Sequence, residues 1–253
     1  MPHVTAVGFS HLQALNAAQL ERTKKKAATF ELTTLLVHPP TYPSFDPWFE
    51  QSSGGIVYNA KIGEAVADAC AQNSSSLLVL SLWSNQHFRF STCNDPRRFD
   101  FVLPSDPARP VDPAAENVPY ELIRSFMHEV FAVNFGLAVF LRKFCSLPTI
   151  VLAAPPPIDE LEKIPPVTQA VATMEYKARE LGIAPAGLRY KFWRVCEILT
   201  AEFCQAAGLP FVEPPAQSFK KDRFRQPQYW SQDWLHANAA YGDLVLVQIE
   251  SFL

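Results

Sequence analysis

Val4-Thr5-Ala6-Val7 runs straight into Gly8-Phe9-Ser10-His11, and a helical pattern starts at Leu12. The reading is a short buried strand, a tight turn and a helix over residues 12–22, with Leu12, Leu15 and Leu20 on its apolar face. The same alternation continues along the chain. Apolar runs at 30–37, 77–82, 149–153 and 209–212 read as strands, and 77–82 is near-continuous, as in a strand buried on both faces. Residues 62–71, 120–144, 176–181 and 188–207 have helical spacing. The segment 237–252 reads as a final helix, with 244–247 a possible strand instead, and 55–58 reads as a further short strand. Short apolar runs separated by helices are the pattern of an α/β protein. The expected fold is a doubly wound, five-stranded parallel sheet with helices on both faces. Sites in such sheets lie beyond the carboxyl ends of the strands. Ser10, Asn85 and the loop at Pro155 each follow such an end, so all three fall on one rim.

The far end of the chain supplies what Ser10 lacks. Asp233-Trp234-Leu235-His236 is followed by Asn238 and Tyr241-Gly242. A serine hydroxyl is a poor nucleophile until a base takes its proton, and the base works best when a third group fixes its tautomer. Ser10 as nucleophile, His236 as base and Asp233 as its orienting carboxylate would make that set. Each has a plainer reading: Ser10 as a helix N-cap, Asp233 as a cap in a polar loop. Asn85 is a candidate oxyanion donor, or else a turn asparagine after a strand. His11 and His87 are candidate substrate contacts by position alone, while His38 and His128 read as structural.

These blocks resemble those of the SGNH hydrolases, the GDSL-type esterases and lipases. Gly8-Phe9-Ser10 is similar to the family's Gly-Asp-Ser turn, with Phe9 at the aspartate position. Leu82-Trp83-Ser84-Asn85 resembles its third block without the usual glycine, and Asp233 to His236 matches its last block. Val57-Tyr58-Asn59-Ala60-Lys61 resembles a degraded second block, with Lys61 in the glycine's place. The resemblance implies a flavodoxin-like α/β/α sandwich and a Ser10–His236–Asp233 triad working through an acyl-enzyme. It implies an oxyanion hole of the Ser10 N–H, Asn85 and the Lys61 backbone N–H, and no cofactor. The expected substrate is a small ester or O-acetylated compound. An acyltransferase on the same triad is the alternative, as is a non-catalytic binding protein, which Phe9 and the degraded second block would suit.

Composition sets the remaining expectations. A chain of 253 residues, 48% hydrophobic, fits one domain, with loop insertions expected near 38–54, 87–118 and 154–172. A net charge of −3 gives no electrostatic case for nucleic acid. Lys24-Lys25-Lys26 reads as a solvated helix end. Lys220, Lys221, Arg223 and Arg225, offset only by Asp222, read as a mobile basic loop, with contact to an anionic substrate group as the minor reading. No His/Cys/Asp/Glu set has metal-ligand spacing. The five cysteines, 70, 93, 145, 196 and 204, have no zinc or redox spacing, and a reducing, cytoplasmic setting is expected. Neither a signal peptide nor a membrane span is expected, the best apolar run being 131–140. No motif sets an oligomeric state. Prolines 96, 104, 107, 110 and 113 disfavour regular structure in 87–118. That segment, beginning beside Asn85, is expected to fold back over the rim near Ser10.

Overall fold

The computed structural model describes residues 1–37, 45–83, 86–94, 97–164 and 180–253, with the side chains of 86, 87 and 89 left aside. Five strands form the main sheet: β1 (His3–Gly8), β2 (Glu31–Leu36), β5 (Leu77–Ser81), β8 (Thr149–Leu152) and β9 (Phe211–Val212). Their order is β2-β1-β5-β8-β9, and every pairing is parallel. This is the doubly wound order with its switch point beside the first strand. The expected parallel α/β sandwich is therefore the observed one. β3 (Phe49–Ser52) and β4 (Gly55–Tyr58) make a separate antiparallel hairpin, so the short strand at 55–58 lies outside the main sheet.

Strand side chains alternate between two apolar layers, as the period of two requires. Val7, Leu78, Leu80 and Val151 face one layer, with Ile62 and Val66 of α2 (Ala60–Gln72) and Leu137 and Leu141 of α4 (Tyr120–Leu141). Val4, Ala6, Val79 and Ile150 face the other, with Leu12 and Leu15 of α1 (Leu12–Lys24) and Val245, Leu246 and Ile249 of α6 (Ala239–Glu250). The final segment is thus a helix, and 244–247 is part of it. A third cluster joins Ile123, Met127 and Phe131 of α4 to Leu188, Phe192 and Trp193 of α5 (Ala186–Ala207).

By length and composition α4 would pass as a membrane span. Its buried apolar residues, however, are divided between the first and third clusters, with Leu122, Phe126 and Val139 exposed, and its buried Asn134 donates to the Leu82 carbonyl at 2.7 Å. Segment 87–118 is not wholly irregular. It holds most of α3 (Gln86–Ser91), which ends before the first proline, and a two-residue parallel ladder, β6 (Phe99–Asp100) with β7 (Glu116–Asn117). Buried Lys191 ties that ladder to the core through Asp100 at 2.8 Å and the Pro110 carbonyl at 2.9 Å. The helix expected at 176–181 falls mostly outside the described residues. Cys70 and Cys145, 75 positions apart, place their sulfurs 3.4 Å from each other, and burial pushes the Cys70 thiol up to about 12.

α1 and α6 cross closely because Gly242 has no side chain. A Cβ there would lie 2.1 Å from the Ala14 carbonyl oxygen and 3.1 Å from the Ala18 methyl. Beside the crossing, Arg22 bonds Asp243 at 2.5 Å and Glu250 at 2.6 Å. Gly242→Val is therefore expected to cost about 1–3 kcal/mol through overpacking, read as a lower Tm in a circular-dichroism melt. An unchanged Tm would contradict the crossing described here.

Candidate active site

The rim begins where β1 stops. A Cβ on Gly8 would sit 2.1 Å from the Ser81 carbonyl oxygen, so only glycine lets β1 and β5 approach this closely at their ends. The next N–H, of Phe9, donates to that same oxygen at 3.2 Å. The Phe9 ring is buried and meets Trp48 edge-on at 5.4 Å between centroids. Phe9, which departs from the aspartate of the resembling motif, thus anchors the turn to the segment leading into β3. The N-cap position of α1 is His11, and no side chain caps the helix there. The hydroxyl of Ser10 is turned elsewhere: its Oγ lies 2.7 Å from His236 Nε2.

Asp233 shapes the turn that delivers His236. Its Oδ1 accepts from the N–H groups of Leu235 at 2.8 Å and of His236 at 2.7 Å. Its Oδ2 lies 2.7 Å from His236 Nδ1. The capping reading and the orienting reading of Asp233 are therefore both satisfied, one by each oxygen. Burial alone would raise this carboxyl. The bonds from the His236 ring and from the two backbone N–H groups outweigh it and hold Asp233 well below the usual carboxylate range. An ionised Asp233 can only accept, so Nδ1 carries a ring proton, and in the form of the ring with no second proton Nε2 is the acceptor for the Ser10 O–H. Asn238 fixes the far side of the turn. Its amide donates to the carbonyls of Gln228 at 2.7 Å and Trp230 at 2.9 Å, while its Oδ1 caps α6 through the Tyr241 N–H.

The other candidates divide. His11 is buried, with its ring centroid 5.4 Å from that of His236. The Lys61 N–H donates at 3.1 Å to Oδ1 of Asn59, which caps α2. Asn85 lies outside the described residues. His87 falls within α3, and its side chain lies outside the description. Of the segment expected over the rim, Phe88 lines a recess with His11, Trp234 and Leu235, whereas Phe99 and Phe101 pack against Phe192 in the third cluster. No group of three or more His, Cys, Asp or Glu side chains among the described residues is placed to hold a metal ion.

Sequence reasoning placed Arg225 in a mobile basic loop, with contact to an anionic substrate group as the minor reading. The basic segment is tied down rather than mobile: Lys220 bonds both oxygens of Asp159 at 2.9 and 2.8 Å. Arg225 is buried, donates to the Leu235 carbonyl at 3.2 Å and lines the recess. The only sequence signal was its membership of the basic cluster. The third block's Trp83 is likewise fully buried, against Phe131.

No protein-family model matches the sequence, and no curated protein matches it. Among solved structures, the chain is similar to a presumptive acylhydrolase from Bacteroides fragilis. The two are 11% identical, aligned over 99% of this chain and 85% of that one, with a TM-score of 0.50. A GDSL-like lipase from Bacteroides thetaiotaomicron is similar at 11% identity over 99% and 86% of the two chains, with a TM-score of 0.47. An aryl esterase from M. smegmatis is similar at 11% identity over the whole of both chains, with a TM-score of 0.45. At these identities the likeness to the B. fragilis structure is one of fold.

The lowered Asp233 carboxyl has a pH consequence. Its folded-state pKa lies below its unfolded value, so its stabilising contribution is full above about pH 4 and fades as the pH falls toward the folded value. Asp233→Asn should therefore be less stable than the parent chain at pH 7, with the gap narrowing toward pH 3. Urea unfolding at both pH values reads this, and a gap that widens on acidification would contradict it.

Proposed function

We propose that the protein is a serine ester hydrolase of the SGNH, or GDSL-type, superfamily, acting on a small ester or O-acetylated compound. The observation that carries this reading is the continuous hydrogen-bonded line from Ser10 Oγ through His236 to Asp233, with both links at 2.7 Å. It joins the first and last of the sequence blocks that resemble the family. The line stands beyond the carboxyl end of β1, at the switch point of the sheet, where such folds place their ligands.

In this reading Ser10 Oγ attacks the ester carbonyl carbon while His236 Nε2 takes the hydroxyl proton. Asp233 holds the imidazole and stabilises its positive charge. The tetrahedral oxyanion faces the Ser10 N–H, at the positive end of α1, and Asn85 supplies a side-chain donor. His236 returns the proton to the departing alkoxide, leaving an acyl-serine. A water then attacks the acyl carbon with His236 again as base, the carboxylic acid leaves, and Ser10 regains its proton. The Lys61 N–H joins the oxyanion donors only by giving up its bond to Asn59.

A fluorophosphonate probe with p-nitrophenyl acetate turnover tests this reading. The parent chain should be labelled stoichiometrically at Ser10 and should hydrolyse the ester. Ser10→Ala should lose both, with kcat down by at least about 10⁴-fold. Asn85→Ala should keep the label site and lower kcat by about 10²–10³-fold. Absent labelling across mildly acid to alkaline pH, in a folded chain, would favour the non-catalytic reading.

A further inference from the structure

One peptide unit delivers His236 to the rim, and it is held from both edges. The bond between Leu235 and His236 is planar, so its carbonyl and its N–H turn as one plate, with the His236 Cα fixed to it. On the N–H edge, His236 donates to Asp233 Oδ1 at 2.7 Å. On the carbonyl edge, Leu235 accepts from Arg225 Nη2 at 3.2 Å. Asp233 Oδ2 lies 2.7 Å from the His236 ring. Guanidinium, peptide, carboxylate and imidazole thus form one bonded series that ends at Ser10 Oγ, 2.7 Å from His236 Nε2.

Arg225 reaches Leu235 from a backbone that is itself pinned. Its N–H donates to the Pro157 carbonyl at 3.0 Å, and its carbonyl accepts from the Trp230 indole at 3.0 Å. Trp230 in turn bridges Ala237, the residue after His236, and its carbonyl accepts from Asn238 at 2.9 Å. The Asp233–His236 turn is closed at its neck by Trp230 and braced at Leu235 by Arg225. Arg225 is 1% exposed, and its Nε and Nη1 have no acceptor among the described residues. Burial lowers the guanidinium to about 10, against the opposing pull of Tyr241 and Asp233, and leaves it protonated at neutral pH. A buried cation normally has several partners. This one directs its hydrogen bond at the peptide that carries the imidazole.

We propose that Arg225 is a positioning residue for His236: by holding the Leu235 carbonyl it fixes the rotation of the 235–236 peptide, and with it the line from Asp233 through His236 to Ser10. On the hydrolase reading above, on which the catalytic consequence but not the geometry rests, Arg225 keeps the imidazole aimed at the Ser10 proton. The charge adds to the effect. A cation on the carbonyl polarises the peptide and strengthens the bond that its N–H gives to Asp233. A neutral, apolar side chain of similar length leaves the plate held on the Asp233 edge alone. A lysine keeps both the charge and a donor.

Two measurements on the full chain test this. The first is the low-field proton NMR signal of His236 Nδ1–H, recorded in Ser10→Ala so that no turnover is needed. Adding Arg225→Met should broaden that signal through exchange with solvent, and Arg225→Lys in its place should restore it. The second is kcat and KM for p-nitrophenyl acetate, counted per Ser10 that a fluorophosphonate labels. Arg225→Met should lower kcat per labelled site at least about tenfold with KM nearly unchanged, and Arg225→Lys should recover most of the loss. Should Arg225→Met fail to fold, Arg225→Gln keeps a polar head without the charge and should show the same two losses. A variant with a lower Tm but an unchanged proton signal and an unchanged kcat per labelled site would overturn the proposal and leave Arg225 a structural prop. A proton signal that depends on Arg225, in a chain that neither labels nor hydrolyses the ester, would keep the positioning role and overturn the hydrolase reading.

Discussion

Ser10 and His236 stand 226 positions apart, and the packing of α1 on α6 is what brings them within a hydrogen bond. Each helix directly follows one half of the site. α1 starts two residues after Ser10, and α6 starts three residues after His236. Helix-to-helix distance therefore sets side-chain distance at the rim. Gly242 permits the close crossing and the Arg22 pairs with Asp243 and Glu250 hold its angle. At the other boundary, Gly8 lets β1 and β5 touch at the point where the chain turns. Two glycines, neither part of the hydrogen-bonded line, thus fix the two walls between which it forms.

The sheet was legible in the sequence because its strands are short, continuous apolar runs, the form that burial on both faces imposes. Val4 to Val7 and Leu77 to Leu80 show it most plainly, and their alternate residues divide between the two layers. The ends of the site were legible because Ser10 and the Asp233–His236 turn are local patterns: a turn after a strand, and a carboxylate that bonds residues two and three positions on. What stayed hidden depends on long-range contact. The role of Phe9 is set by Trp48, and the burial of Arg225 by a loop packed on Pro157 and Leu235. No spacing rule links Cys70 to Cys145, which meet only because α2 and the end of α4 cover the same face.

The second block shows how a local reading meets a structural competitor. Asn59 is the N-cap of α2, and its side chain takes the Lys61 N–H. Tyr58, one residue earlier, donates to the Val133 carbonyl at 2.8 Å and fills the space left by Gly136. Val57 to Lys61 is therefore explained by strand end, helix cap and packing onto α4, with no chemistry required of it. Two of the departures from the resembling pattern, Phe9 and Lys61, fall in segments that packing or capping already uses.

The α1–α6 docking also orders the assembly of the site. The turn bearing Ser10 precedes α6 in the chain, as do all five strands of the main sheet. Until α6 docks, the Ser10 hydroxyl does not have the His236 imidazole beside it. The pairing of Ser10 with His236 therefore reports that α1 and α6 have reached their final positions.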